Sequence, residues 1–300
     1  MTALTNSPPR SFTFAGADGL QLVGECSPAR VDAGQSPRAV VALVHGISEH
    51  SGRYFWVVTQ LTASGFAACV FDLRGHGQSP GRRGHIDSWS QYRDDLSAYL
   101  EQVRARHPGI PIFIYGHSLG ALIVAEYVLF HPERLAGMIV SGIPLRPVGV
   151  AKLPLVLLAK SLSRIWPTFA VSLGVGGSRL SRDPEIVRAY NDDPMVHHTG
   201  TARWGTETLA AIARVRSRMS EIRLPILILH GGADPVNSVQ GSRDLYESVS
   251  SVDKELKVYP GGMHEPHNDV NREEVMKDVE KWLDRQLENT ALNRVRDSAR

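Results

Sequence analysis

Residues 110–130 read IPIFIYGHSLGALIVAEYVLF, and the rest of the chain is interpreted around them. The first six residues form an apolar run that is typical of a strand buried on both faces. From residue 122 onward, apolar side chains recur on one broad face, as they do in a helix. Between the two patterns lies Gly116-His117-Ser118-Leu119-Gly120, a G-x-S-x-G sequence. The stretch therefore predicts a strand, a sharp turn that carries Ser118, and a helix.

The two glycines suit a serine at a strand-to-helix turn, because neighbouring backbone passes close to both positions and a side chain there would collide. The turn leaves the Ser118 hydroxyl exposed at its tip. The helix behind it offers free N–H groups and a positive dipole end to an oxyanion. The alternative is a glycine-rich loop without chemistry, since the motif by itself also arises by chance.

The chain has 300 residues, 42% of them hydrophobic, and a formal net charge of +2. It can bury a large core, so it fits either one α/β domain with an insertion or two domains. The small net charge and the lack of blocks of like charge argue against a nucleic-acid partner. Residues 1–9 lack the pattern of a secretory signal, and no uninterrupted apolar run reaches the roughly 18 residues of a spanning helix. We therefore expect a cytoplasmic protein that is at most peripheral to a membrane.

The two cysteines, Cys26 and Cys69, lie in apolar surroundings and form no CxxC pair. The pattern favours unpaired core residues over a disulfide framework. It is typical of a protein in a reducing compartment.

Apolar runs alternate with helical patterns along most of the chain. Strands are predicted at residues 11–14, 20–26, 39–44, 66–71, 110–115, 135–141, 225–230 and 256–259. Helices are predicted at residues 53–64, 88–106, 238–249 and 271–287. This alternation predicts an α/β fold, a mostly parallel eight-stranded sheet with helices on both faces and an active site at the carboxyl ends of the strands.

Residues 143–217 interrupt this alternation. They are rich in Leu, Pro and Gly and carry no clean strand, so they are interpreted as a helical insertion. The predicted core then consists of residues 11–142 and 218–288. Residues 1–10 and 289–300 are polar and are predicted to be loose termini.

A serine becomes a good nucleophile when a base removes its proton and a third group orients that base. Two loops that follow predicted strands supply candidates. Asp234 follows the strand at 225–230, and His264 follows the strand at 256–259. The order Ser118, Asp234, His264 is that of the α/β-hydrolases. The sequence therefore predicts a catalytic triad of these residues.

Alternatives exist for the acid and the base. Asp234 precedes a proline and could simply form a turn, and His264 could be an ordinary loop histidine beside two glycines. Asp72 also follows a predicted strand, but we expect Arg74 to hold it in an ion pair. Asp269 lies too close to His264 along the chain to be the better acid.

Acyl transfer also needs two donors for the oxyanion. One is the N–H of Leu119, directly after the nucleophile, and the other is assigned to Ile47 in the tight bend after the strand at 39–44. No metal site is predicted, because His197 and His198 are adjacent rather than spaced for one ion and no H-E-x-x-H occurs. No nucleotide cofactor is predicted either, since neither a G-x-G-x-x-G nor a Walker A sequence is present.

Several segments resemble the sequence motifs of monoacylglycerol lipases. They are His45-Gly46-Ile47-Ser48-Glu49-His50-Ser51-Gly52-Arg53-Tyr54, Asp72-Leu73-Arg74-Gly75-His76-Gly77-Gln78-Ser79, the Ser118 motif, Ser181-Arg182-Asp183-Pro184, Asp193-Pro194 and His264-Glu265. The resemblance runs from about residue 12 to 288 and includes the insertion. The sequence departs from the family at Ala121 and Ser48, where glycine is commoner.

The resemblance implies a role for each site residue. Ser118 would be the nucleophile, His264 the general base and then acid, and Asp234 the group that fixes the histidine tautomer. Ile47 and Leu119 would form the oxyanion hole. The family's polar pocket for glycerol maps onto Glu49, Arg53, Tyr190 and His267. The insertion would be a lid whose apolar segments, residues 153–159 and 165–175, line an acyl tunnel or rest on a membrane surface; the alternative is that they only cover the core.

The resemblance implies a serine hydrolase that cleaves monoacylglycerol, a small lipid ester, to fatty acid and glycerol through an acyl-enzyme. A lysophospholipase or a broad carboxylesterase on the same scaffold is the first alternative. A hydrolase-like binding protein with an inert triad is the second. The sequence predicts no particular oligomeric state.

Overall fold

The structure is a computed structural model that describes residues 8–32, 34–131, 134–149 and 153–298. Residues 1–7 and 299–300 of the predicted loose termini lie outside the described residues. In chain order, the strands are β1 (Arg10–Ala15), β2 (Gln21–Ser27), β3 (Val40–Val44), β4 (Ala67–Phe71), β5 (Ile112–His117), β6 (Gly137–Ser141), β7 (Ala170–Ser172), β8 (Thr199–Thr201), β9 (Ile226–Gly231) and β10 (Lys254–Tyr259). The helices are α1 (Phe55–Ala63), α2 (Ser90–Arg106), α3 (Leu119–Val128), α4 (Leu153–Ile165), α5 (Pro184–Asp192), α6 (Ala202–Arg218), α7 (Val239–Ser248) and α8 (Arg272–Ser298).

Eight strands form one sheet in the order β1-β2-β4-β3-β5-β6-β9-β10. β2 pairs antiparallel with both β1 and β4, and every other pair in the sheet is parallel. Parallel neighbours place their carboxyl ends at one edge of the sheet, which brings the loops after β3, β5, β9 and β10 together. The prediction of a mostly parallel eight-stranded sheet is confirmed.

Helices cover both faces of this sheet. Alternate residues of β3 point to opposite sides: Val40 and Ala42 join one apolar cluster, and Val41 joins the other. The first cluster includes residues of α2, α3, α6 and α7, and the second includes residues of α1 and α8. β3 is apolar at every position because each of its two faces packs against its own layer of helices.

Cys26 and Cys69 are register partners in the antiparallel pair of β2 and β4, and they form a disulfide. Both are buried, as predicted, but the prediction that they are unpaired is wrong. They lie 43 residues apart, so only the pairing of the two strands brings them together. The expectation of a reducing compartment was based on unpaired cysteines, so the disulfide removes its support.

The segment between β6 and β9 contains α4, α5 and α6, as expected for a helical insertion. It also contains β7 and β8, which pair antiparallel as a short two-stranded ribbon. The interpretation of the segment as a helical insertion without a clean strand therefore missed this ribbon. Strands of three residues are too short to leave a periodic signal in the sequence.

The final helix, α8, runs from Arg272 to Ser298. It is longer than the predicted helix at 271–287, so the prediction that 289–300 is loose is wrong up to Ser298. At the other end, β1 already begins at Arg10. Among the described residues, no helix combines the length and the apolar character that crossing a bilayer requires.

Candidate active site

Ser118 lies at the turn between β5 and α3, with φ 50° and ψ −116°. A Cβ atom on Gly116 would lie 2.5 Å from the Gly120 carbonyl oxygen, and one on Gly120 would lie 2.1 Å from the Val44 carbonyl oxygen. Neither position can hold a side chain without a shift of the backbone. The glycines of the motif are thus required by the close approach of β3 and by the turn itself.

Ser118, His264 and Asp234 form one hydrogen-bonded chain at the carboxyl edge of the sheet. His264 Nδ1 lies 2.7 Å from Asp234 Oδ2, and His264 Nε2 lies 3.0 Å from Ser118 Oγ. A carboxylate can only accept, so Nδ1 carries the proton and Nε2 is left to accept from the serine hydroxyl. Asp234 is held in turn by the backbone N–H groups of Val236 and Asn237, which donate to its Oδ1 at 2.7 and 3.0 Å.

The charges of this chain favour proton transfer to His264. Burial opposes the imidazolium, but the Asp234 carboxylate outweighs it, so the pKa of His264 is raised above 6.5. Burial would raise the pKa of Asp234, yet the two histidines beside it, His264 and His230, hold that pKa well below 3.8. Asp234 therefore stays ionised, and its charge can stabilise an imidazolium at His264.

The loop after β3 packs directly against Ser118. A Cβ atom on Gly46 would lie 3.2 Å from the Ser118 Cβ. The Gly46 N–H donates to Glu49 Oε1 at 2.5 Å, so it is already used within the loop. His45 adds a second restraint, because its Nδ1 donates to the Gly46 carbonyl at 2.7 Å while its Nε2 accepts from the Leu73 N–H at 2.9 Å. The next amide, that of Ile47, is the predicted oxyanion donor.

Glu49 and Arg53, two of the predicted glycerol-binding residues, are bonded to protein groups. Arg53 Nη1 donates to Glu49 at 3.0 Å and to Glu265 at 2.7 Å, and Arg53 Nη2 donates to Glu265 at 2.8 Å. Tyr54 donates to the other Glu49 oxygen at 3.0 Å. Burial and the Glu265 charge raise the pKa of Glu49 to about 6, while Arg53 lowers the pKa of Glu265 against the effect of burial. The Glu49 carboxylate thus accepts from Gly46, Arg53 and Tyr54, which leaves about one acceptor site for a substrate.

Tyr190 and His267, the other two predicted pocket residues, lie against this cluster with polar atoms to spare. The Arg53 guanidinium sits 4.7 Å from the Tyr190 ring centre, and the His267 ring stacks on Tyr54 at 5.0 Å. The Tyr190 hydroxyl and both His267 ring nitrogens are buried and have no hydrogen-bond partner among the described residues. Burial lowers the pKa of His267 to about 4, so the ring is neutral at pH 7.

The predicted ion pair between Asp72 and Arg74 does not form. Asp72 accepts instead from the N–H groups of Ser51 and Gln78, each at 2.8 Å. Arg74 pairs with Asp95 on α2, at 2.6 and 2.8 Å, and with the half-exposed Asp18. The prediction is wrong because residues that follow the end of a strand need not point in the same direction. Asp95 comes close to Arg74 only because α2 packs on the sheet.

Sequence reasoning also missed groups that surround the triad. His230 lies at the end of β9, 3.2 Å from Asp234 Oδ2, and was interpreted only as a strand residue. Its signal was its position four residues before the predicted acid. Asp269 was set aside as an acid, and it instead accepts from the Met263 N–H at 2.9 Å and from Arg182 of the insertion.

The family model described as serine aminopeptidase, S33, matches residues 35–271. A monoacylglycerol lipase from Mycolicibacterium smegmatis is 34% identical over 281 residues, which cover 93% of this chain and 99% of that protein. The chain belongs to the monoacylglycerol lipase family. The resemblance inferred from the motifs is thereby confirmed.

Solved structures of monoacylglycerol lipases share the fold over nearly the whole chain. The lipase from Paleococcus ferrophilus superposes with a TM-score of 0.80 at 32% identity, covering 88% of this chain and 99% of that one. A soluble variant of monoglyceride lipase from Saccharomyces cerevisiae, solved with a substrate analogue, superposes with a TM-score of 0.82 at 25% identity, covering 95% and 96%. The predicted α/β-hydrolase fold is confirmed.

Proposed function

We propose that this protein is a serine hydrolase that cleaves monoacylglycerol to a free fatty acid and glycerol. The observation that carries the proposal is the chain of hydrogen bonds from Ser118 Oγ through His264 to Asp234. It occurs in a member of a family whose relatives carry the names monoacylglycerol lipase and monoglyceride lipase.

The proposed reaction has two halves. Ser118 Oγ attacks the ester carbonyl carbon while His264 Nε2 takes the hydroxyl proton, and the N–H groups of Ile47 and Leu119 stabilise the oxyanion. His264 then gives its proton to the departing glycerol oxygen, which leaves an acyl group on Ser118. A water molecule attacks this acyl-enzyme with His264 again as the base, and the fatty acid departs.

The proposed glycerol pocket is built by Tyr190 and His267 and shaped by Glu49 and Arg53. The unpartnered hydroxyl of Tyr190 and ring nitrogens of His267 are suited to hydrogen bonds with an alcohol. The ion pairs of Arg53 with Glu49 and Glu265 hold the wall behind these groups in place. Of the four predicted pocket residues, Tyr190 and His267 are therefore proposed to contact substrate directly.

Replacement of the nucleophile tests the activity. Ser118→Ala is expected to fold like the wild type and to lose at least about a thousandfold in kcat on a monoacylglycerol. Ser250→Ala changes an exposed serine and serves as the matched control. A fluorophosphonate probe should label wild type and the control but not Ser118→Ala. A folded wild type that the probe does not label would support the inert binding protein instead.

A substrate panel separates the proposal from other esterases. Specificity constants on a monoacylglycerol chain-length series are compared with those on lysophosphatidylcholine and p-nitrophenyl acetate. We expect the monoacylglycerols to be preferred. A tenfold preference for the lysophospholipid, which is about 1.4 kcal/mol in the barrier, would replace the proposal with a lysophospholipase.

We further propose that the insertion at 143–217 acts as a lid and rests on a lipid surface. Large apolar side chains are exposed there: Val148, Ile165, Trp166 and Val171. Three of them, Ile165, Trp166 and Val171, lie within seven consecutive residues. Exposed apolar groups concentrated in one segment suit contact with a membrane surface. The side chains of residues 153–158, part of the predicted acyl-tunnel segment, lie outside the described residues.

Trp166→Asp tests the lid contact. The variant should bind phosphatidylcholine vesicles more weakly in a flotation assay and lose more activity on long-chain esters than on acetate. Val252→Asp is the control, because Val252 is fully exposed but lies outside the insertion. Equal losses on long and short esters, with vesicle binding unchanged, would show that the segment only covers the core.

A further inference from the structure

Asp234 has a second histidine neighbour that the proposed reaction does not use. His230 is fully buried in β9, and its Nε2 lies 3.2 Å from Asp234 Oδ2. The same nitrogen lies 3.0 Å from the Asn237 carbonyl oxygen. Both neighbours can only accept, so His230 Nε2 carries a proton; its N–H donates to the Asn237 carbonyl and lies beside Asp234 Oδ2.

Ser242 on α7 holds the other side of the His230 ring. Its hydroxyl oxygen lies 2.7 Å from His230 Nδ1, and Ser242 is also fully buried. In a neutral ring protonated at Nε2, Nδ1 has a lone pair and accepts from the Ser242 hydroxyl. The ring is thus oriented from both nitrogens, by the loop after β9 and by α7.

We propose that His230 is a positioning residue that extends the chain of Ser118, His264 and Asp234 as far as Ser242. Asp234 Oδ2 then lies between two imidazole N–H groups: His264 Nδ1 donates to it at 2.7 Å, and the protonated His230 Nε2 lies 3.2 Å from it. The positive end of the His230 N–H dipole holds this oxygen in place beside His264 and offsets part of its negative charge. The inference rests on the proposed hydrolase function.

The proposal differs from a purely structural role in what it does to His264. A buried histidine that only satisfies the core would change stability on removal and leave the titration of His264 as it was. Besides Asp234, the charged groups that act on His264 are Glu265 and Glu49, and the neutral His117 ring lies 4.9 Å from it. Burial keeps His117 and His267 neutral by lowering the pKa of each. A substitution at His230 leaves all of these groups in place.

His230→Phe and His230→Gln are the test pair. Phe removes the donor, whereas the Gln side-chain amide can place an N–H near the position of His230 Nε2. In His230→Phe, Asp234 Oδ2 regains negative charge and binds the imidazolium proton of His264 more tightly. The acid limb of kcat/KM should move up by about half a pH unit, and the plateau should fall about tenfold. In His230→Gln, the plateau of kcat/KM should stay within about threefold of wild type, and the acid limb should not shift.

Ser242→Ala is the variant that keeps the His230 ring and removes only its orientation. It should move the acid limb in the same direction as His230→Phe and by less. NMR titration of the His264 ring protons in each folded variant reads the same pKa without turnover.

The proposal is overturned if His230→Phe shifts neither the acid limb of kcat/KM nor the pKa of His264 read by NMR. If His230→Phe does not fold, the same result in Ser242→Ala overturns it. A variant that loses stability while the acid limb and the His264 pKa stay unchanged would also overturn the proposal, because the role of His230 would then be structural. Fluorophosphonate labelling of wild type keeps the two proposals apart. If wild type is not labelled, the hydrolase function fails; if it is labelled and the variants titrate like wild type, only the inference about His230 fails.

Discussion

Ser48 adopts a backbone conformation that favours glycine. Its φ is 67°, its side chain is fully buried, and its hydroxyl has no hydrogen-bond partner among the described residues. A non-glycine residue in this left-handed region is strained. The strain lies in the loop that packs against Ser118, next to the predicted oxyanion donor Ile47. The departure from the commoner glycine at this position therefore has a physical cost.

Ser48→Gly is expected to stabilise the protein by about 1 kcal/mol, because relief of the positive φ and of a buried unpartnered hydroxyl outweighs the extra freedom of glycine in the unfolded chain. Urea denaturation at pH 7.5 measures the change in the free energy of unfolding. Ser250→Gly, at an exposed position without positive φ, should be neutral or destabilising. A Ser48→Gly variant no more stable than wild type would show that the loop carries no strain.

At the scale of elements, a short stretch of the insertion is hydrogen-bonded to the two loops that carry Asp234 and His264. The Leu180 carbonyl accepts from the Glu265 N–H at 2.9 Å, and Ser181 Oγ donates to the Asn268 carbonyl at 2.9 Å. On the acid side, Arg179 donates to the Pro235 carbonyl. This stretch belongs to the insertion along the chain, yet its hydrogen bonds tie it to the core.

Arg182→Met tests this attachment. Arg182 Nε donates to both oxygens of the fully buried Asp269, at 3.1 and 3.0 Å, and Asp269 also accepts from the Met263 N–H next to His264. Leaving that carboxylate without its guanidinium should cost about 2 kcal/mol of stability, as read by urea denaturation, and should lower kcat.

Arg188→Met, at an exposed arginine of α5, is the matched control and should change neither quantity. Wild-type stability in Arg182→Met would mean that the insertion does not brace the base loop.

At the scale of the whole molecule, folding buries several histidines in the neutral form. Burial lowers the pKa of His45 to about 3, of His197 to about 4 and of His267 to about 4. It also lowers the pKa of His76 and His117 well below 6.5. In the unfolded chain the imidazoles bind protons near pH 6.5. Below that pH the unfolded chain therefore binds protons at histidines that stay neutral in the folded protein. The raised pKa of Glu49, about 6, opposes this with a single proton. His264, whose pKa is raised, is protonated in both states below pH 6.5 and does not contribute there.

The free energy of unfolding should therefore fall as the pH drops from about 6.5 toward about 4, with several protons bound on unfolding. Urea denaturation across this range gives the slope. His197→Asn should reduce the slope by about one proton. A flat stability profile between pH 6.5 and 4.5 would contradict the assignment of buried neutral rings.

The sequence alone was enough to predict the strand, turn and helix around Ser118, the parallel sheet and the order of Ser118, Asp234 and His264. These features are read from local and periodic signals: an apolar strand buried on both faces, glycines where backbone passes close, and polar residues directly after strand ends. The family motifs added the likeness to monoacylglycerol lipases, which the comparisons confirmed.

The tertiary structure alone decided which residues pair with each other. The disulfide of Cys26 with Cys69, the pairing of Arg74 with Asp95 and the approach of His230 to Asp234 each depend on strand register or helix packing. Two of these pairs join residues that are 43 and 21 positions apart, so no local pattern in the chain records them. A residue's type sets what it can bond, but the packed fold sets which partner lies within reach.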